Sequence, residues 1–234
     1  MTQTSNTSLT GRYGLGPLGV AAAIFFIIGF VTWMNGPLIS FVRVAFELSD
    51  TSAFLVPMVF YFSYFLFSLP ASFLARRLGL RRGLSCALLL CATGVALFGQ
   101  FISMRLYEGA LTGLLVMGAG LSLMQVVINP LVSLLGPSER AAQRIAIMGV
   151  CNKIAGIRAP IVLGTVVMGE IGSVAQKAQN TTDPAARDAI LSSFVQAIYA
   201  PYMAMALVLL ITAACVALFP LPELQAPAFP GSTE

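Results

Sequence analysis

The sequence predicts an all-α membrane protein of six transmembrane helices, and three observations carry that reading. Of the 234 residues, 58% are apolar and 9% charged, whereas a soluble domain holds about 25% charged residues. So few charges cannot cover a water-facing surface, so most of the chain faces lipid or protein. Apolar runs recur at 18–41, 53–74, 84–102, 110–135, 145–168 and 197–219, each long enough for a hydrocarbon core that takes roughly 20 helical residues. None of them alternates with the period of two that marks a transmembrane strand, which disfavours a barrel.

Residues 1–16 are polar and Ser/Thr-rich, lack the basic start and cleavage site of a signal peptide, and read as a flexible cytoplasmic N-terminus. The bundle is expected over 17–220. In span 1, Asn35-Gly36-Pro37 interrupts the apolar run. Proline removes a backbone donor and glycine loosens the helix, so a break is expected near mid-membrane. Span 2 carries an aromatic stripe (Phe60, Tyr61, Phe62, Tyr64, Phe65, Phe67) that reads mainly as packing. A short basic loop with Arg76, Arg77, Arg81 and Arg82 leads into span 3.

Span 4 holds Gln125 and Asn129, one helical turn apart and so on one face, followed by Pro130. Both amides donate and accept, which suits sugar hydroxyls as well as interhelical hydrogen bonds. Gly113, Gly118 and Gly120 upstream allow close helix approach. Span 5 contains Asn152, Lys153 and Arg158. Counted inward from Arg144, Lys153 lies roughly 13 Å deep. A charge facing lipid there costs at least about 2.5–3.5 kcal/mol, so a cavity or a partner is expected. No acidic residue stands at matching depth in the six runs. Arg158, on another face of the helix, reads as a structural or interface residue. The loop 169–196 carries Lys177, Asp183, Arg187 and Asp188, with a short surface helix expected after Pro184 and before span 6. Residues 221–234 read as a proline-rich cytoplasmic tail.

The net charge of +4 speaks to topology and not to nucleic acid. One side of the membrane receives Arg12, Arg76, Arg77, Arg81, Arg82, Arg140 and Arg144; the other receives Arg43, Arg105, Lys177 and Arg187. The positive-inside rule then places both termini in the cytoplasm. Cys86, Cys91, Cys151 and Cys215 fall in the spans, spaced for neither zinc nor a disulfide framework, and histidine is absent. No cofactor, metal site or catalytic residue is therefore expected. An intramembrane enzyme is disfavoured for the same reason. A water or glycerol channel would need two Asn-Pro-Ala half-helices, and there is one Asn129-Pro130-Leu131.

Four segments together resemble one family. The run from Leu69-Pro70-Ala71-Ser72 through Arg76-Arg77-Leu78-Gly79-Leu80-Arg81-Arg82-Gly83 looks like the basic loop between helices 2 and 3 of the major facilitator superfamily. Ser72 stands at the usual glycine and Arg76 at the usual aspartate, a departure similar to the fucose-permease-like branch. Trp33-Met34-Asn35-Gly36-Pro37, Gln125-Val126-Val127-Ile128-Asn129-Pro130 and Gly149-Val150-Cys151-Asn152-Lys153 extend the resemblance to bacterial glucose/galactose and N-acetylglucosamine transporters. The resemblance covers about residues 18 to 224 and implies a 3+3 inverted-repeat half of the twelve-span fold. It further implies sugar transport across a bacterial inner membrane by alternating access, as a symport with a cation. Asn35, Gln125, Asn129, Asn152 and Lys153 become the expected substrate-binding residues, and Arg76, Arg77, Arg81 and Arg82 a cytoplasmic gating loop. Gly36 and Gln125 occupy positions where fucose permease has carboxylates, which puts proton coupling through this half in doubt. Expected partners are a monosaccharide, membrane lipid and a second six-helix half, either a separate C-terminal half or a second copy. The alternative is a sugar-binding or regulatory half-protein that does not transport.

Overall fold

The computed structural model describes residues 15–33, 35–163 and 169–218. The expected tail at 221–234, and all but two residues of the expected flexible N-terminus, lie outside them. The described residues form α1 (Leu15–Trp33), α2 (Asn35–Ala45), α3 (Asp50–Ala53), α4 (Leu55–Leu66), α5 (Ser68–Ser103), α6 (Tyr107–Leu134), a 3-10 turn at Ser138–Arg140, α7 (Ala141–Leu163), α8 (Gly169–Asn180) and α9 (Pro184–Leu218). No strand occurs among them.

Helices α5, α6 and α9 are each long and apolar enough to cross a membrane. α1 and α2 do so as a pair bent by 47°, which is the break expected around Asn35-Gly36-Pro37. Predicted span 2 is built from a shorter apolar stretch, Asp50–Leu66, continued by the first turns of α5. Predicted span 5 is α7, whose apolarity is lowered by Arg144, Lys153 and Arg158.

Two boundaries differ from expectation. The basic segment is helical almost throughout: within α5 only Gly79 leaves helical geometry, at φ 74°, ψ 173°. A positive φ is cheap only for glycine, so one residue makes the whole turn. The chain doubles back there, since a Cβ on Gly83 would lie 4.0 Å from the Cα of Ala75. The four arginines thus flank one tight turn instead of populating a loop. At the other boundary, Pro184 opens α9 itself and not a separate surface helix. Proline is tolerated at the first helical position, and Asp183 caps the helix by accepting from the Ala185 N–H at 3.1 Å.

The core is the α5–α6 seam, where small residues let two backbones meet. A Cβ on Gly113 would lie 2.5 Å from the backbone nitrogen of Phe98, and one on Gly94 would collide with the backbone of Met117. Gly120 abuts Cys91 in the same way. Without a hydrophobic drive between helices in lipid, such close van der Waals contact is what holds them together. Around the seam, Phe98 packs against Tyr202 of α9 with ring centroids 5.1 Å apart. Ser63 of α4 donates to the Leu115 carbonyl of α6 at 2.5 Å.

At the bundle end opposite the Gly79 turn, Glu47 and Arg105 adopt left-handed backbone, φ 52° and 54°. Each ends a helix with a 6→1 bond, Leu48 N–H to Arg43 O at 3.0 Å and Leu106 N–H to Phe101 O at 2.9 Å. Glycine usually fills this position, and a side chain there costs about 1–2 kcal/mol. Both side chains reach α9: Glu47 pairs with Arg187 at 2.6 Å, and Arg105 pairs with Asp188. Arg43 pairs with Asp50 at 2.8 Å. These pairs are exposed and worth roughly 0–1 kcal/mol each.

Candidate substrate site

Gln125 and Asn129 lie half-buried on α6. The Asn129 amide nitrogen donates to the backbone carbonyl of Gln125 at 3.3 Å, which turns the side chain along its own helix and leaves its oxygen free to accept. Gln125's side-chain amide has no hydrogen-bond partner among the described residues, and it is not a buried unsatisfied group. It therefore opens onto accessible space, with both a donor and an acceptor unspent.

A second polar group forms where α7 crosses α1. Asn152 donates from Nδ2 to the Phe25 carbonyl at 3.2 Å, and a Cβ on Gly29 would run into the Asn152 backbone. The helices touch at this point, and Asn152 spends its nitrogen holding them together. One residue on, Lys153 is exposed and carries its ammonium over the Trp33 ring, 5.2 Å from the centroid. A cation that close to an indole face is attracted by the ring quadrupole. No carboxylate lies within ion-pair distance of Lys153 among the described residues. Trp33 is itself seated on α7, since a Cβ on Gly156 would lie 2.7 Å from the ring.

The expected site residues thus separate. Asn152, Lys153 and α1 come together; Gln125 and Asn129 share a face of α6, with no hydrogen bond to the first group. The side chain of Asn35 lies outside the described residues. Arg158 is exposed, and no described contact explains it.

Two contributors were not expected. Trp33 supplies an aromatic platform, and its pairing with Lys153 joins positions 120 residues apart, so no local pattern signals it. Arg144 was read as one more cytoplasmic charge, but its side chain is buried. Its Nε donates to Val132 O at 3.1 Å, Nη2 to Ser133 O at 2.6 Å and Nη1 to Pro137 O at 2.9 Å. Val132 O also accepts from the Leu135 N–H and Pro137 O from the Arg140 N–H. The guanidinium thus adds a second donor to these two carbonyls, donates to Ser133 as well, and places a cation at the negative end of α6. The start of α7 is thereby fixed to the end of α6. The usable signal was Leu134-Leu135-Gly136-Pro137, a helix terminus with an arginine close behind.

In the basic turn, Arg77 lies over the Phe73 ring, 4.4 Å from its centroid. Arg81 donates from Nη2 to the Ala217 carbonyl, tying the turn to the last turn of α9. Arg76 and Arg82 are exposed.

Two apolar faces are exposed among the described residues. Along α7, Ile147, Val150, Ile154 and Ile157 are exposed at helical spacing, and so are Phe54, just before α4, and Met58, Tyr61, Phe62 and Phe65 along it.

The family model described as Major Facilitator Superfamily matches residues 21–234. A glucose/galactose transporter of Brucella abortus biovar 1 (strain 9-941) is 31% identical over 221 residues, 94% of this chain and 50% of that protein. An L-fucose-proton symporter of Escherichia coli (strain K12) is 28% identical over 209 residues, 89% of this chain and 48% of its own. Among solved structures, the transporter FucP in its outward conformation superposes with a TM-score of 0.77 at 28% identity, covering 89% of this chain and 50% of that one. The chain spans about half the length of the curated relatives it matches.

Proposed function

The chain belongs to the Major Facilitator Superfamily, a family of transporters and not of enzymes, and as a multi-pass membrane protein of that family we propose that it serves sugar transport. In this reading it is one six-helix half of an alternating-access transporter for a hexose or N-acetylhexosamine in a bacterial inner membrane, with both termini cytoplasmic. The named activities of its half-matched relatives, a glucose/galactose transporter and an L-fucose-proton symporter, support the substrate class.

The observation that carries the reading is Gln125: a half-buried amide inside a span, without a protein partner among the described residues. A polar group in hydrocarbon is costly unless it faces a cavity. Sugar hydroxyls would satisfy Gln125 and the free oxygens of Asn129 and Asn152. Lys153 donates beside them, and Trp33 offers a ring face to the sugar's C–H groups. Asn35 is placed with this group by the resemblance alone. The arginine turn, anchored through Arg81, acts as the cytoplasmic gate. A second six-helix bundle, from a separate chain or a second copy, covers the exposed faces of α4 and α7 and closes the cavity. Those faces would otherwise meet lipid, which they tolerate; the amides would not.

Uptake of radiolabelled glucose, galactose and N-acetylglucosamine into proteoliposomes holding only this chain tests the reading. Uptake lost in Gln125→Ala and Asn129→Ala is expected if a second copy completes the site. Binding without uptake favours either a half awaiting another chain or a binding protein that does not transport, and cross-linking in native membranes separates those two. Absence of both binding and uptake overturns the sugar assignment.

A further inference from the structure

A cavity of about 410 Å³ opens at the bundle end opposite the arginine turn, far from the amides of α6. Its walls include Phe46, Glu47, Arg105, Thr182, Arg187 and Asp188. The volume lies within the range of small-molecule sites.

Three features set this cavity apart from an ordinary surface cleft. The two non-glycine residues with left-handed backbone among those described, Glu47 and Arg105, both line it. Exposed ion pairs return less than that backbone costs, so stability does not account for charged side chains at positions where glycine would serve. The charges also balance: Glu47 meets Arg187, and Arg105 meets Asp188, leaving no net charge to attract an ion. Finally, each pair sets a carboxylate acceptor beside a guanidinium donor, with an aromatic side chain, Phe46, in the same wall. A vicinal diol donates and accepts through neighbouring hydroxyls, which is the pattern these pairs complement.

We propose that this cavity is a second binding site, for a neutral polyhydroxylated ligand of monosaccharide size. The site lies where the first turn of α9 meets the ends of α2 and α5, so it takes up sugar on the face of the bundle away from the basic turn. Its ligand class follows from its own groups and does not depend on the amides of α6.

The test uses the full chain in proteoliposomes with Thr182→Cys, labelled by a membrane-impermeant maleimide, the labelling of the unsubstituted chain being subtracted. Bound D-glucose or D-galactose shields the thiol, so its rate falls by 1 + [L]/Kd, about tenfold at roughly ten times Kd. This protection is expected to persist with Gln125→Ala and Asn129→Ala, and to vanish with Glu47→Gln and Asp188→Asn at an unchanged unfolding midpoint. No protection by either sugar overturns the proposal. So does protection that survives loss of both carboxylates, or protection that disappears with the α6 amides. Failure of the α6 site alone abolishes uptake while Thr182→Cys stays protected, so the two assignments fail separately.

Discussion

The α5–α6 seam and the outer face of α7 are built on opposite terms. In the seam, glycine brings backbone against backbone, and Leu114, Leu121 and Val127 are buried completely. On α7, isoleucines, Lys153 and Arg158 stand exposed on a helix whose inner side is nonetheless tightly docked, through Gly156 on Trp33 and Asn152 on Phe25. The difference teaches where a membrane bundle keeps its chemistry. Close packing leaves little room for a polar group, so those with unspent donors or acceptors stand mostly on open faces, Gln125 on α6 and Lys153 on α7. The Ser85 hydroxyl of α5 is the exception, buried without a partner among the described residues.

The comparison breaks most severely at the seam. Gly94→Val forces a side chain into the Met117 backbone, and a loss of about 3 kcal/mol or more is expected, at the upper end of overpacking costs. Gly149→Val on α7 meets nothing within 4 Å and should shift stability by about 0.5 kcal/mol or less. Denaturant unfolding midpoints in detergent read both. Equal losses from the two would erase the distinction.

Next in size is Arg144→Ala, which removes three charge-assisted hydrogen bonds between the start of α7 and the carbonyls of Val132, Ser133 and Pro137 and should cost about 2–3 kcal/mol. Arg144→Lys should recover only part of it, because an ammonium cannot spread over three acceptors as a guanidinium fork does. Lys153→Met is expected to leave the unfolding midpoint in place and weaken sugar binding about tenfold, roughly 1.4 kcal/mol, by equilibrium dialysis. Destabilisation by Lys153→Met without loss of binding would move Lys153 into the structural class. The smallest effect belongs to Arg43→Gln. It removes an exposed pair with Asp50 and should cost about 1 kcal/mol or less, fading as salt is raised.

What the sequence disclosed follows the range of each signal. The apolar runs, the break at Asn35-Gly36-Pro37 and the shared face of Gln125 and Asn129 are local patterns. The break and the shared face stand in the fold, and the runs are helical over the described residues, three of them as single crossing-length helices and a fourth as the bent pair. Gly113 and Gly120 were legible as close-approach residues because small residues in an apolar run have few other uses. Arginine density read as a loop around Arg76–Arg82, yet the helix continues to Gly79, because arginine favours helix and one glycine suffices to turn. The bond by which Asn152 joins α7 to α1 was not legible in sequence, since the Phe25 carbonyl that takes its nitrogen lies 127 residues away. The same distance problem hid Trp33 beneath Lys153. At Pro184, proline was taken as a separator when Asp183 made it a beginning.

The seat of Lys153 on Trp33 carries a consequence of another kind. The chain contains a single tryptophan, so all of its indole emission arises from one ring with an ammonium 5.2 Å from its centroid. That ring is partly open to its surroundings. The unlabelled protein is therefore its own optical gauge: any event that lifts the ammonium away, or lays a sugar across the indole, changes the colour and yield of a signal with no second source to dilute it.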